Sequence, residues 1–145
     1  MTTLRPILLV EDNPDDVFFM KRAIAAAQIP NPLHIVTDGQ QAIDYLERIG
    51  SAGSGSSPLP ILVLLDLKLP KRNGLEVLQW VRKRPHLRRV VVIMLTTSRE
   101  DGDISSAYET GCNSFLVKPA SPPQLAEVMR AVKSFWLELN VFPES

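Results

Sequence analysis

Short apolar segments rich in β-branched residues alternate along this chain with segments whose apolar residues recur every three or four positions. Three of the apolar segments are uninterrupted: Ile7–Val10, Ile61–Leu65 and Val90–Leu95. Uninterrupted apolar strands are typical of a parallel sheet covered on both faces, because neither face of the strand meets water. Two shorter and more polar segments, Leu33–Thr37 and Phe115–Val117, are predicted to be edge strands.

Five segments with helical periodicity follow the five predicted strands. They are Pro14–Ala27, Gln40–Ile49, Gly74–Arg84, Asp103–Thr110 and Gln124–Leu139. Strict alternation of strands and helices predicts an α/β fold, with a doubly wound parallel sheet and right-handed crossovers. The Gly- and Ser-rich stretch 50–58 is expected to be a flexible loop. A length of 145 residues fits one domain, so residues 1–145 are expected to form a single domain.

The charge balance and the apolar segment lengths exclude several classes of partner. The 16 basic residues are balanced by 16 acidic ones, and a nucleic-acid partner is not expected because phosphate contacts need clustered positive charge. No apolar segment approaches the ~20 residues that span a bilayer, and none resembles a signal peptide. The single cysteine cannot form an intramolecular disulfide. We therefore expect a cytoplasmic protein with no membrane association.

Polar residues follow four of the predicted strands at the point where each strand ends. They are Glu11 and Asp12, then Asp66, then Thr96 and Thr97, and finally Lys118. The carboxyl ends of parallel strands share one edge of the sheet, so these side chains are expected to converge. Three clustered acids repel one another unless cations lie among them. Lys118 supplies one positive charge, and oxygen ligands without His or Cys suit Mg²⁺ or Mn²⁺. The edge is predicted to be a Mg²⁺-assisted phosphoryl site.

Four motifs in this order resemble the receiver domain of two-component response regulators, of the chemotaxis single-domain type. They are LLVEDNP at 8–14, LLDLKLPKRNG at 64–74, MLTTS at 94–98 and FLVKP at 115–119. The resemblance extends from about residue 6 to residue 132. It implies a flavodoxin-like receiver fold with strand order 2-1-3-4-5 and five flanking helices. It also implies a protein that takes a phosphoryl group from a sensor histidine kinase.

The resemblance implies a role for each strand-end residue. Asp66 corresponds to the phosphoacceptor, and Mg²⁺, with Mn²⁺ as an alternative, is implied as the cofactor. The implied metal ligands are the carboxylates of Glu11, Asp12 and Asp66 and the backbone carbonyl of Lys68. Lys118, Thr96 and Thr97 correspond to the family's catalytic residues. The Lys118–Pro119 peptide bond is expected to be cis, as it is in the family.

The same resemblance implies residues that switch the protein and residues that tune the lifetime of the phosphoryl group. Thr96 and Phe115 correspond to the switch hydroxyl and the switch aromatic residue. Lys68 and Ser98 lie two positions after Asp66 and Thr96, where the family tunes phosphoryl lifetime. The expected output is protein–protein signalling or homodimerisation through the face of the fourth helix, fifth strand and fifth helix.

The segment SFWLELNVF at 134–142 makes the C-terminal region unusually apolar. The extension at about 136–145 has two open interpretations, which are packing back on the core and forming a dimer or partner surface. The candidate interface residues are Phe135, Trp136, Leu139 and Phe142. This extension and the sequence motif LDLKLPKRNG resemble those of phytochrome-associated bacterial response regulators. The resemblance implies a bacterial phytochrome as the candidate kinase.

Two other functions compete with a phosphorylation-dependent switch. The first is a binding module whose output ignores phosphorylation. The second is a Mg²⁺-dependent hydrolase or phosphotransferase for small molecules, because related folds host such enzymes. It is disfavoured because Lys68 occupies the position where such an enzyme needs a second acid. A dinucleotide-binding site is also disfavoured, because no G-x-G-x-x-G follows the first strand.

Overall fold

The computed structural model describes residues 4–51 and 58–143, in which five parallel strands form one sheet. The strands are β1 (Ile7–Val10), β2 (Leu33–Val36), β3 (Leu62–Leu65), β4 (Val91–Thr96) and β5 (Ser114–Val117). Their order is β2-β1-β3-β4-β5, so the two segments predicted as edge strands do lie at the edges. Most of the predicted loop at 50–58 lies outside the described residues.

Five α-helices alternate with the strands. They are α1 (Pro14–Ala26), α2 (Gly39–Ser51), α3 (Gly74–Lys83), α4 (Asp101–Thr110) and α5 (Pro122–Val132). The prediction that the last α-helix runs to Leu139 is wrong, because Lys133–Leu139 is π-helical. Backbone bonds in such turns reach five residues back, as the Asn140 N–H does to the Phe135 carbonyl at 2.7 Å. None of the described helices is both long enough and apolar enough to cross a membrane.

The larger of two compact units contains the sheet with α2, α3 and α4. Alternate side chains of the central strands, such as Leu8 and Val63, join one buried cluster with Leu46 of α2 and Leu78 of α3. All four of these side chains are at most 1% exposed. Close packing of this kind holds the carboxyl ends of the strands in fixed relative positions.

The smaller unit contains α1 and α5, which pack against each other. Helix α1 buries Met20 and Ile24, and α5 buries Met129. Helix α5 begins at two prolines, which suit the first turn because it leaves backbone N–H groups without helical partners. The Ser121 hydroxyl accepts a hydrogen bond from the Gln124 N–H at 3.3 Å, so Ser121 caps the start of α5.

The peptide bond between Lys118 and Pro119 differs from the expectation. The described residues contain no cis peptide bond, so the expected cis geometry is wrong for this structure. A trans bond is the default before proline, where it is favoured by ~0.5–1 kcal/mol. The Lys118 side chain reaches Glu11 and Asp66 with the trans bond in place.

Candidate functional site

The register of the sheet places the polar strand ends side by side. Val10 of β1 pairs with Leu65 of β3, and the Asp66 N–H donates to the Val10 carbonyl at 3.2 Å. The Lys118 N–H donates to the Thr96 carbonyl at 2.7 Å, which aligns the ends of β4 and β5. The strand order reverses between β1 and β3, and α/β sheets bind ligands at such a point.

Three carboxylates gather at this edge, as the sequence predicted. One carboxylate oxygen from each of Glu11, Asp12 and Asp66 lies within 4.8 Å of the other two. Oxygen ligands of an octahedral Mg²⁺ ion, bonded at about 2.1 Å, lie roughly 3–4 Å apart. Small side-chain movements therefore suffice for the three carboxylates to share one such ion. The set contains oxygen donors alone, which suits Mg²⁺ or Mn²⁺.

Lys118 provides the positive charge inside this acidic cluster. Its ammonium group donates a short hydrogen bond to Oε1 of Glu11 and a second one, at 3.2 Å, to Oδ2 of Asp66. The Lys118 side chain is only 13% exposed, so water screens these ion pairs weakly. The lysine thereby joins the ends of β1 and β3 to the end of β5 and offsets the repulsion between the two acids.

Glu11 is the buried member of the acidic cluster, and Asp12 beside it is exposed. Burial raises the pKa of the Glu11 carboxyl above its usual value, and the negative charge of Asp66 adds a smaller increase. The hydrogen bonds from Lys118 and from the Asn13 N–H, at 3.1 Å, act in the opposite direction. The burial of Glu11 favours a bound cation, because a cation would stabilise the charged form of the carboxyl.

The loop from β4 to α4 carries the predicted hydroxyl residues. Thr96 is 1% exposed, and its Oγ1 accepts a hydrogen bond from the Ser98 N–H at 3.4 Å. The Ser98 hydroxyl donates to Oδ2 of Asp103 at 2.5 Å and accepts from the Glu100 N–H at 3.3 Å. Thr97 is exposed. Thr96, the last residue of β4, is thus buried, and Thr97 directly after it is exposed.

The backbone after Asp66 is tightly constrained where α3 begins. The Gly74 N–H donates to the Leu67 carbonyl at 2.8 Å. A Cβ atom at position 74 would lie 2.3 Å from the Asp66 carbonyl oxygen, so only glycine permits this approach. Asn73 and Glu76 form a reciprocal capping box that fixes the first turn of α3. The start of α3 therefore holds the loop that carries Asp66 and Lys68.

A groove of about 550 Å³ lies beside the acidic cluster. Its lining includes Asp12, the exposed Lys68 and, from α4, Asp103. Lys68 and Asp12 therefore line the same groove. The groove is open to solvent, so a small molecule or a side chain of a partner can reach Asp12.

The predicted switch residue Phe115 lies on β5 and is partly buried. Its side chain packs against the buried cluster of the larger unit. Its backbone N–H donates to the hydroxyl of Tyr108 on α4 at 3.2 Å. Phe115 is therefore connected both to the interior and to α4.

The C-terminal extension exposes much of its apolar surface within the described residues. Phe135 is 51% exposed, Leu139 70% and Val141 90%. Trp136 and Phe142 are partly buried, and the rings of Phe135 and Trp136 meet edge to face at 4.9 Å. These exposures favour the interpretation of the extension as a partner surface.

Sequence reasoning missed two residues near the site, Asp103 and Tyr108. Each contacts the predicted site through one hydrogen bond, to Ser98 and to the Phe115 backbone respectively. The acidic residues at the start of α4 signalled a helix N-terminus. No spacing rule connects Asp103 with a serine five residues earlier, because the contact depends on the shape of an irregular loop.

Comparison with protein families identifies the class to which these features belong. The family model described as the response regulator receiver domain matches residues 7–130. The response regulator Rcp1 of Synechocystis sp. is 37% identical over 137 residues, which is 94% of this chain and 92% of Rcp1. These matches confirm the assignment to the receiver-domain family that the four motifs indicated.

Two solved structures of high similarity agree with this result. The phosphorylated cyanobacterial phytochrome response regulator RcpA superposes with a TM-score of 0.86 at 35% identity, over 98% of this chain and 100% of RcpA. The Mn²⁺-bound form of Rcp1 superposes with a TM-score of 0.83 at 36% identity, over 97% of this chain and 99% of Rcp1. The predicted flavodoxin-like receiver fold with order 2-1-3-4-5, and the likeness to phytochrome response regulators, are confirmed.

Proposed function

Because the chain belongs to the response regulator receiver family, we propose that Asp66 accepts a phosphoryl group from a sensor histidine kinase. The observation that carries this proposal is the position of Lys118, whose ammonium group contacts both Glu11 and Asp66. Asp12 lies within 4.8 Å of the same carboxylates. A carboxylate nucleophile beside a fixed ammonium group and a cation-binding set is suited to phosphoryl transfer, which depends on charge neutralisation.

The proposed cofactor is Mg²⁺, with Mn²⁺ as an alternative. The carboxylates of Glu11, Asp12 and Asp66 and the backbone carbonyl of Lys68 would hold the ion. The donor set supports this assignment because it consists of oxygen atoms alone. The similar protein Rcp1 is described in a Mn²⁺-bound form. When bound, the ion would neutralise negative charge on the phosphoryl oxygens.

The proposed reaction transfers one phosphoryl group between two side chains. A carboxylate oxygen of Asp66 attacks phosphorus, and the new O–P bond forms as the P–N bond to the kinase's phosphohistidine breaks. The released imidazole nitrogen takes up a proton from solvent. Lys118 pairs with a phosphoryl oxygen, a role its 3.2 Å contact with Asp66 supports. Hydrolysis later breaks the O–P bond by attack of water, which releases phosphate and restores the Asp66 carboxylate.

The proposed switch begins at the hydroxyl group of Thr96. This hydroxyl and the Thr97 N–H would bond to phosphoryl oxygens, and Phe115 would rotate inward as Thr96 moves. The hydrogen bond between the Phe115 N–H and Tyr108 supports a connection from Phe115 to α4. The charge of the phosphoryl group on Asp66 would in this way shift the conformation of the face formed by α4, β5 and α5. Lys68 and Ser98 are proposed to tune the lifetime of the phosphoryl group.

The proposed output is protein–protein interaction, with residues 1–145 acting as a single receiver domain in the cytoplasm. The surface formed from α4, β5 and α5 would bind a partner or a second copy of this chain. The C-terminal extension at about 136–145 is proposed as a further partner surface, with Phe135, Trp136, Leu139 and Phe142 as candidate interface residues. A bacterial phytochrome is the proposed kinase, because the similar protein RcpA is described as a phytochrome response regulator.

The experiment that tests this function measures intact mass after incubation with acetyl phosphate and Mg²⁺, with size-exclusion chromatography on the same samples. We expect one added phosphoryl group on the wild type and none on Asp66→Ala. We also expect an elution shift that accompanies phosphorylation in the wild type alone.

Three outcomes would contradict parts of the proposal. Equal uptake by Asp66→Ala would show that another residue is the acceptor. Uptake with unchanged elution and unchanged partner affinity would favour the phosphorylation-independent binding module. Continuous turnover of a phosphate ester, with no phosphorylated protein trapped, would favour the small-molecule hydrolase.

A further inference from the structure

We propose that Asp103 is a positioning residue, which restrains the loop between β4 and α4 and thereby controls how readily Thr96 engages the phosphoryl group. This inference rests on the proposed function of Asp66. Asp103 lies in the first turn of α4, five residues beyond Ser98 in sequence, and lines the groove together with Asp12.

Two hydrogen bonds link Asp103 through Ser98 to the buried hydroxyl group of Thr96, and a third connects Ser98 to Glu100. The Asp103 carboxylate accepts from the Ser98 hydroxyl at 2.5 Å. The same hydroxyl accepts from the Glu100 N–H at 3.3 Å. The Ser98 N–H donates to the Thr96 hydroxyl oxygen at 3.4 Å. One carboxylate on α4 therefore fixes Ser98, and Ser98 contacts the side chain of Thr96.

The contact between Asp103 and Ser98 is the strongest of these three bonds. A hydrogen bond to an ionised acceptor is shorter and stronger than one between neutral groups, and its length of 2.5 Å fits that class. A serine hydroxyl has a single proton, so Asp103 takes the only one that Ser98 can donate. Glu100, the N-cap residue of α4, makes no capping hydrogen bond with its own side chain. The Ser98 hydroxyl instead accepts from the Glu100 N–H at the start of the helix. The loop is therefore tied to the first turn of α4.

This restraint has a direct consequence for the proposed switch. In the proposed switch, the Thr96 hydroxyl moves away from its contact with Ser98 toward a phosphoryl oxygen on Asp66. The backbone of residues 97–100 must adjust with it, because Ser98 contacts both Thr96 and α4. A loop tied to Asp103 resists that adjustment. Loss of the hydrogen bond between Asp103 and Ser98 would let Thr96 reach the phosphoryl group more readily and would accelerate phosphorylation.

The test compares three single substitutions near the start of α4. Asp103→Ala removes both the charge and the acceptor. Asp103→Asn removes the charge but keeps an oxygen that accepts from Ser98. Asp101→Ala removes an equivalent charge from the same turn of α4 and serves as the matched control. The comparison separates the effect of the hydrogen bond from the effect of charge on an anionic phosphodonor.

The first readout is the rate constant for phosphorylation by acetyl phosphate with Mg²⁺. We expect Asp103→Ala to be about tenfold or more faster than the wild type, because it loses a hydrogen bond to a charged acceptor. Asp101→Ala should stay within about twofold of the wild type, because it leaves this bond intact. Asp103→Asn should lie between the wild type and Asp103→Ala, because its amide oxygen still accepts from Ser98 but lacks the charge that strengthens the bond. Ser98→Ala should match Asp103→Ala, and the double variant should be no faster than either single variant.

The second readout is hydrogen exchange of the segment 96–103, which needs no phosphorylation. Asp103→Ala should speed exchange at the amides of Ser98 and Glu100, and Asp103→Asn should do so to a clearly smaller extent. The proposal is overturned if Asp103→Ala leaves exchange unchanged, if Asp103→Asn behaves like Asp103→Ala, or if the two single effects add. A wild type that takes up no phosphoryl group refutes the function of Asp66 instead, and the exchange comparison still decides the role of Asp103.

Discussion

The three carboxylates at the strand ends differ in environment, and the difference suits separate tasks. Glu11 is 3% exposed and paired with Lys118, whereas Asp12 is exposed. Asp66 lies between them in burial, with a side chain that is 12% exposed and shares Lys118. A nucleophile needs access, and a structural ligand does not. Asp66 is more exposed than Glu11 and has the positive neighbour that the proposed acceptor requires.

Asp12 offers the cleanest test of the metal site, because its side chain is exposed. Asp12→Asn removes a charged oxygen ligand without disturbing the core. We expect Mn²⁺ affinity, measured by calorimetry, to fall at least ~10-fold, and the free energy of unfolding to change by less than ~0.5 kcal/mol. Asp101→Asn, an exposed acid on α4, should bind Mn²⁺ as the wild type does. Equal affinity in Asp12→Asn would contradict the assignment.

The single cysteine, Cys112, is 8% exposed. Burial raises the pKa of its thiol above the usual 9.0, and nearby Arg82 only partly offsets this. The folded chain thus retains the thiol proton more strongly than the unfolded chain, so this group's contribution to stability is lost as pH rises above about 9. We expect iodoacetamide to label the native protein far more slowly than the urea-unfolded protein at pH values near 8. Similar labelling rates in the two states would contradict the burial of Cys112.

At the scale of elements, apolar patterning predicted the strands well and the helix ends less well. The uninterrupted apolar segments became β1, β3 and β4, and the more polar segments became the sheet edges, because burial on both faces dictates that composition. Helix α4 begins two residues earlier than predicted, at Asp101. Asp101 and Asp103 suit a helix N-terminus, which apolar periodicity alone does not detect. The four-motif pattern predicted the residues of the candidate site, but not contacts made by irregular loops.

Arg82 is one such unpredicted contact residue, and it connects α3 to two loops. Its guanidinium donates to the carbonyls of Gly111, Arg88 and Val90 and to the side chain of Asn113, at 2.7–2.9 Å. Arg82→Ala would leave several partly buried acceptors without a donor. We expect the free energy of unfolding, measured in urea, to fall by about 2–4 kcal/mol.

The matched control for Arg82 is the exposed Arg89, which lies just before β4. Arg89→Ala should change the free energy of unfolding by less than ~0.5 kcal/mol. A loss as small as this in Arg82→Ala would mean that its four hydrogen bonds do not support the fold.

At the scale of the whole molecule, the C-terminal extension exposes apolar side chains to solvent. Leu139 is 70% exposed and Val141 is 90% exposed. Side chains this exposed contribute little to folding, so a surface that keeps them is better explained by an interface. The extension thus belongs with the proposed output of the protein.

Substitution of the exposed side chains tests that interface. We expect Leu139→Ser combined with Val141→Ser to weaken self-association, measured by sedimentation equilibrium, by about tenfold or more. The free energy of unfolding should change by less than ~0.5 kcal/mol. Leu4→Ser, at a leucine that is 47% exposed near the start of the described chain, should leave self-association unchanged. Undiminished association in the double variant would exclude these two residues from the interface.

The most direct test of the central claim is to locate the phosphoryl group on the chain. Borohydride reduces an aspartyl phosphate to homoserine, which peptide mass spectrometry assigns to one position. After incubation with acetyl phosphate and Mg²⁺, followed by borohydride, we expect homoserine at position 66 and at no other acidic residue. Homoserine at Asp12 or elsewhere, or a phosphorylated protein that yields none, would contradict the assignment of Asp66 as the acceptor.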